Sequence, residues 1–118
     1  MSLDFNSLLE IAQAMTVKGK GILAADESNP TCEKRFDSIG VESTEQNRNI
    51  YRDLLFTTKG MKEFISGVIL YDETIRQSTI KDGVPFPNFL SELGVIPGIK
   101  VDAGAKNLSG TDGEKVTE

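Results

Sequence analysis

The stretch Gly19–Ser28, GKGILAADES, decides how this chain is read. Its apolar run, Ile22–Ala25, stops on two acids, Asp26 and Glu27, and Ser28, Asn29 and Pro30 follow. A short apolar run between breakers fits a strand buried on both faces, although periodicity alone leaves a buried helix open. Asparagine before proline marks a helix start, because asparagine caps and proline suits the first helical position. Strand followed by helix is the opening half of a parallel unit.

The pattern repeats outward. Val68–Tyr71, VILY, is a second β-branched apolar run, and Val95–Asp102, VIPGIKVD, a third, weakened in its first half by Pro97 and Gly98. Between them lie helical patterns. Ser7 and Glu10 have capping-box spacing and open a helix to Met15. A second helix runs from Asn29 to about Ser38, with Gly40 near its stop. Ser43 and Gln46 repeat the capping-box spacing and open a longer helix through Tyr51 and Leu55. KDGVPFPNF reads as a loop around the Asp82–Gly83 turn, FLSELG as a helical turn ending at Gly94, and the tail from Ala103 as an exposed loop without an anchor. Strands separated by helices imply a parallel sheet and the α/β class. Three strands do not close a domain, and an eight-stranded barrel takes about 250 residues. Residues 1–118 therefore read as the N-terminal portion of a single (β/α)8 TIM barrel, its first three parallel strands with their helices.

Composition narrows the function classes. The formal net charge is −5, with acids and bases interspersed, which argues against nucleic-acid partners. The single Cys32 cannot form an intrachain disulfide, and a chain with no histidine is a poor candidate for a zinc or iron site. No leader pattern or membrane-length apolar window stands out, so a soluble protein of a reducing, cytoplasmic compartment is expected.

Ligands of parallel α/β folds bind at the carboxyl ends of strands. Those ends carry Asp26-Glu27-Ser28, Tyr71-Asp72-Glu73-Thr74, and Lys100 with Asp102. Strand alternation puts Ile22, Ala24 and Asp26 on one face, and Gly98, Lys100 and Asp102 on another. If both faces point into a barrel, Asp26 and Lys100 project toward one mouth. A carboxylate there serves as general acid or base; alternatively the two form only a structural ion pair. Ser28 and Thr31 place hydroxyls at a helix N-terminus, which favours an anion such as phosphate, with Lys34, Arg35 and Lys100 as cations. The plainer alternative is that the two hydroxyls are caps. Asp72 and Glu73 read as a solvated strand end, and Cys32 as a small packed side chain.

These stretches together resemble class I fructose-bisphosphate aldolases. GKGILAADES is similar to the family's first strand, and IGVESTEQNRNIYRDLLFTT to its following helix. SGVILYDETIRQ resembles the second strand, DGVPFPNFL the next loop, and GIKVDAG with LSGTDGE the third strand and beyond. The matches are collinear from about Leu8 to Glu114. The resemblance implies a barrel that reversibly cleaves fructose 1,6-bisphosphate to dihydroxyacetone phosphate and glyceraldehyde 3-phosphate, in glycolysis and gluconeogenesis, through a lysine Schiff base and without metal or other cofactor. It implies that Asp26 assists proton transfer near the C4 hydroxyl, that Lys100 and Ser28 contact substrate phosphate, and that Thr31 and Arg35 lie on the phosphate side. The family's Schiff-base lysine belongs to a later strand, so this chain is expected to be inactive alone and to need the remaining barrel segment in cis or trans. A homo-oligomer is expected. Ala103 stands where members commonly have lysine, and Tyr71-Asp72 replaces an aromatic-histidine pair, which marks a divergent or microbial relative. The alternative reading is a non-catalytic, self-associating module that retains sugar-phosphate binding.

Overall fold

The computed structural model describes residues 5–118, with side chains from Asn6 onward. The expectation about a leader rests partly on residues 1–4, outside that range. Helix α1, Phe5–Met15, leads to strand β1, Gly21–Ala25, and helix α2, Asn29–Asp37. Helix α3, Glu45–Phe56, and the single turn α4, Met61–Phe64, precede strand β2, Ile65–Leu70. A 3-10 turn, Thr74–Arg76, and helix α5, Phe86–Glu92, lead to strand β3, Ile96–Ile99. The three strands form one parallel sheet in the order β1-β2-β3, the α/β arrangement of a partial TIM barrel.

Register fixes the two faces of the sheet. Ala25 pairs with Leu70, which pairs with Ile99; these residues share the face toward α3 and α5. There Ala25, Val68 and Leu70 pack with Phe56, Met61, Phe86, Leu90 and Val95 into the hydrophobic core. Phe56 and Phe86 meet edge to face, with centroids 5.0 Å apart, the favoured aromatic geometry. Ile99 shares the core-side face but is 41% exposed, because it lies on the outer strand. On the opposite face Ala24 lies beside Ile69, which lies beside Gly98. This face is open: Ile22 is 48% exposed and Ala24 is exposed. At its lower end α1 approaches the sheet at Gly67, where an added Cβ would lie 3.1 Å from Met15 Cε and 3.3 Å from the Ile96 carbonyl oxygen. A register shift between Gly21 and Ile22 skips Ser66, whose hydroxyl donates to the Met15 carbonyl at 2.6 Å.

Several local expectations are corrected. Among the described residues α1 spans Phe5–Met15, so Ser7 lies inside it rather than at its cap. Asn29 is the first helical residue of α2, and Ser28 occupies the cap position. The cap of α3 is Thr44, whose side chain accepts from the Asn47 amide at 3.1 Å; Ser43, one residue early, instead accepts from Arg48. β3 ends at Ile99, so Lys100 and Asp102 lie just beyond the strand. The KDGVPFPNF loop gives way to helix at Phe86, where Pro87 needs no amide donor. The tail is not plain loop: Ala105–Asn107 (β4) and Lys115–Thr117 (β5) form an exposed antiparallel hairpin. No helix of the described residues is long and apolar enough to cross a membrane.

Candidate active site

The carboxyl ends of the strands carry the ionisable groups. Lys100 follows β3, and its amide still bonds the Leu70 carbonyl at 2.9 Å, continuing the sheet's direction for one residue. From there its ammonium reaches across β2. Nζ lies 2.6 Å from Asp102 Oδ1 and 3.7 Å from Asp26 Oδ2. One cation thus stands between two carboxylates, Asp26 just past β1 and Asp102 just past β3. Asp102 is itself oriented by the Gly104 amide, which donates to its other oxygen at 3.1 Å. Hydrogen bonding to Asp102, reinforced by Asp26, holds the Lys100 ammonium above the ordinary lysine range. The same bond, with the Gly104 amide, holds Asp102 below the usual carboxylate range. Lys100 is therefore a cation at neutral pH. All three side chains are about one-quarter to one-third exposed, which leaves them open to a ligand.

Ser28 caps α2 by its backbone: its carbonyl accepts from the Cys32 amide at 3.0 Å, yet its hydroxyl makes no capping bond. That hydroxyl lies 3.2 Å from the Thr31 hydroxyl instead. Two neighbouring hydroxyls at a helix N-terminus form a donor pair suited to an anion. Arg35 does not stand free; its Nε pairs with Glu27 Oε2 at 3.0 Å while the side chain stays 62% exposed.

Sequence reading missed a set of residues that hold this region together. Tyr51 donates to Glu27 Oε2 at 3.2 Å, so Glu27 is braced by α2 and α3 at once. Burial, then the Glu27 charge, raises the Tyr51 phenol above its ordinary value. Arg48 makes a bidentate pair with Glu73, at 2.7 and 2.9 Å, and also donates to Ser43. Glu73 is therefore no solvated strand end, and the Arg48 hydrogen bonds hold its carboxyl below the usual range. Asp72 does face solvent, paired with Arg76. Arg52 is 1% exposed and reaches the end of β1, and the fully buried Cys32 packs beside it. The helical spacing of Arg48, Tyr51 and Arg52 in NRNIYRDLL was the available signal; their partners lie 20 to 27 residues away in sequence.

A surface cleft of about 430 Å³ is lined by Thr44, Glu45, Gln46, Asn49 and Gln77, and shares no residue with the Asp26–Lys100 group. Three strands of a barrel give that group a floor without enclosing walls.

Comparison with known proteins gives concordant results. The family model for fructose-bisphosphate aldolase class-I matches residues 7–118. A probable fructose-bisphosphate aldolase class 1 of Xylella fastidiosa (strain Temecula1) is 58% identical over 116 residues, covering 98% of this chain and 34% of that protein. Fructose-bisphosphate aldolase 1 of Toxoplasma gondii is 57% identical over 110 residues, covering 93% and 30%. A co-crystal structure of fructose-bisphosphate aldolase from Plasmodium falciparum, in complex with TRAP and a small-molecule inhibitor, superposes with a TM-score of 0.85 at 53% identity. That match covers 96% of this chain and 32% of the other. The chain spans about a third of the length of the relatives it matches.

Proposed function

This chain belongs to the class I fructose-bisphosphate aldolase family, and from that premise we propose that it supplies one half-site of an aldolase barrel. The reaction is reversible cleavage of fructose 1,6-bisphosphate to dihydroxyacetone phosphate and glyceraldehyde 3-phosphate. The observation that carries the proposal is the meeting of Asp26 and Lys100, 3.7 Å apart, at the carboxyl end of the sheet.

Asp26 is the proton-transfer group. Cleavage of the carbon–carbon bond releases an aldehyde from an alcohol, so a base must take the hydroxyl proton on the departing side. Lys100 keeps its proton and holds a phosphate, with Ser28 and Thr31 as hydroxyl donors. Arg35 contributes on the phosphate side while tethered to Glu27. The electron sink is a Schiff base on a lysine from a later strand of the barrel. The 118 residues alone therefore do not turn over substrate and act with the remaining barrel segment, in cis or in trans. We assign the assembled enzyme to the cytoplasm and expect it to be a homo-oligomer. The apolar open face of the sheet, with Ile22 48% exposed, supports the remaining barrel segment as its occupant. The same exposed face equally admits the other reading, a self-associating module that binds sugar phosphate without catalysis.

The test is a coupled assay for triose phosphate on this chain, on the complementary two-thirds of a family member, and on their mixture. Cleavage only in the mixture is expected. Cleavage by this chain alone at the rate of the mixture overturns the assignment of the Schiff-base lysine to a later strand. Sugar-phosphate binding with self-association, and no cleavage in the mixture, selects the module.

A further inference from the structure

We propose that Arg52 is the positioning residue for Asp26. The sheet's register ends at the Ala25–Leu70 pair, so the backbone that carries Asp26 lies just beyond its last strand partner. Arg52 takes over there. Its Nε donates to the Ala25 carbonyl at 3.0 Å, and its Nη2 to the Glu27 carbonyl at 2.8 Å. One guanidinium thus grips the carbonyls of the two residues that flank Asp26. Its third arm, Nη1, lies 3.0 Å from Cys32 Sγ, which ties the grip to α2. Its carbon lies 5.2 Å from the Tyr51 ring centroid, a cation–π distance.

The site is built to hold this group. Arg52 is 1% exposed and Cys32 0%. A buried cation with hydrogen bonds left unmade is costly, so its donors are fixed in direction rather than shared with water. A guanidinium presents a rigid planar fork, which an ammonium cannot copy across two carbonyls. Small displacements of a reacting group cost rate steeply, so the clamp acts on turnover through Asp26. The proposal rests on the reading of Asp26 as the proton-transfer group.

The test introduces Arg52→Lys and Arg52→Gln into the chain and assays the mixture described above. Each variant is expected to lower kcat about tenfold or more while KM changes less than about threefold. Neither is expected to lower it further when Asp26→Asn is already present, because both then act on one function. A residue that only stabilised the fold would add its loss to that of Asp26→Asn. Full additivity, or an Arg52→Lys kcat within about twofold of the parent, overturns the proposal. If the parent mixture cleaves nothing, the functional reading has failed and the clamp is judged on the unmutated chain by NMR. A scalar coupling across the hydrogen bond from Arg52 Nε to the Ala25 carbonyl carbon is expected; its absence overturns the clamp. This measurement also decides the case if both variants fail to fold.

Discussion

At the scale of single residues, the account depends on which charges are held and by what. Lys100 is expected to act on binding more than on chemistry. Lys100→Met in the assembled barrel should raise KM for fructose 1,6-bisphosphate about tenfold, and a kinetic series in substrate concentration checks it. The Arg48–Glu73 pair makes a prediction on the acid side. Glu73 is depressed by its bonds from Arg48. Its stabilising contribution is therefore fully present above the unfolded value of about 4.3 and is lost as pH falls through the folded value. Arg48→Met should reduce that acid-side loss, as read from urea midpoints across pH. Tyr51 works in the opposite sense. Its phenol is raised by burial and by Glu27, so its contribution is present below about pH 10 and is lost as pH rises through the folded value. Ultraviolet titration should show an alkaline phase that Tyr51→Phe removes. The meeting of Asp26 and Lys100 was legible in the sequence because strand alternation aims both side chains toward the carboxyl end of one sheet face. The contacts of Arg48, Tyr51 and Arg52 were not, because their partners are reached only after α3 folds back over the end of β1.

At the scale of elements, the strands were the most readable part, since their apolar runs lack polar interruptions and lie between breakers; the expectation of burial on both faces fails for β1, where Ile22 and Ala24 are exposed. Their ends were less so. β3 stops at Ile99, and Pro97 cannot donate within it, so the reach of the strand to Asp102 was overestimated. The start of α3 was misplaced by one residue because Ser43 and Thr44 are both good caps, and only geometry shows Thr44 bonding the Asn47 amide. Thr44→Ala should cost about 1 kcal/mol of unfolding free energy, whereas Ser43→Ala should leave the cap intact. The β4–β5 hairpin escaped notice because its strands are three residues each and wholly exposed, with no apolar alternation to mark them. At Gly67 the contact between α1 and the sheet can be tested. Gly67→Ala would force Met15 or the Ile96 carbonyl to move, and should cost about 1–3 kcal/mol by denaturant unfolding.

At the scale of the whole molecule, the sheet is half of an idea: one face is packed and the other is open. The (β/α)8 reading was legible because three strand-like runs occur in far fewer residues than a closed barrel requires, and because their ends carry the polar groups. What could not be read was how far the core-side helices would cover the sheet, since that depends on which strand each one packs against. α3, α4 and α5 supply Phe56, Met61, Phe86 and Leu90 to one core, while Ile22 and Ile99 stay exposed on opposite faces. The chain alone should bind the dye ANS, and the signal should fall when the complementary segment is added. The most direct measurement is the rate of fructose 1,6-bisphosphate cleavage by the mixture of this chain with the complementary two-thirds of the barrel, compared with the same mixture carrying Asp26→Asn. The account predicts cleavage in the first and a loss of about a hundredfold or more in the second. Equal rates in the two mixtures would contradict it.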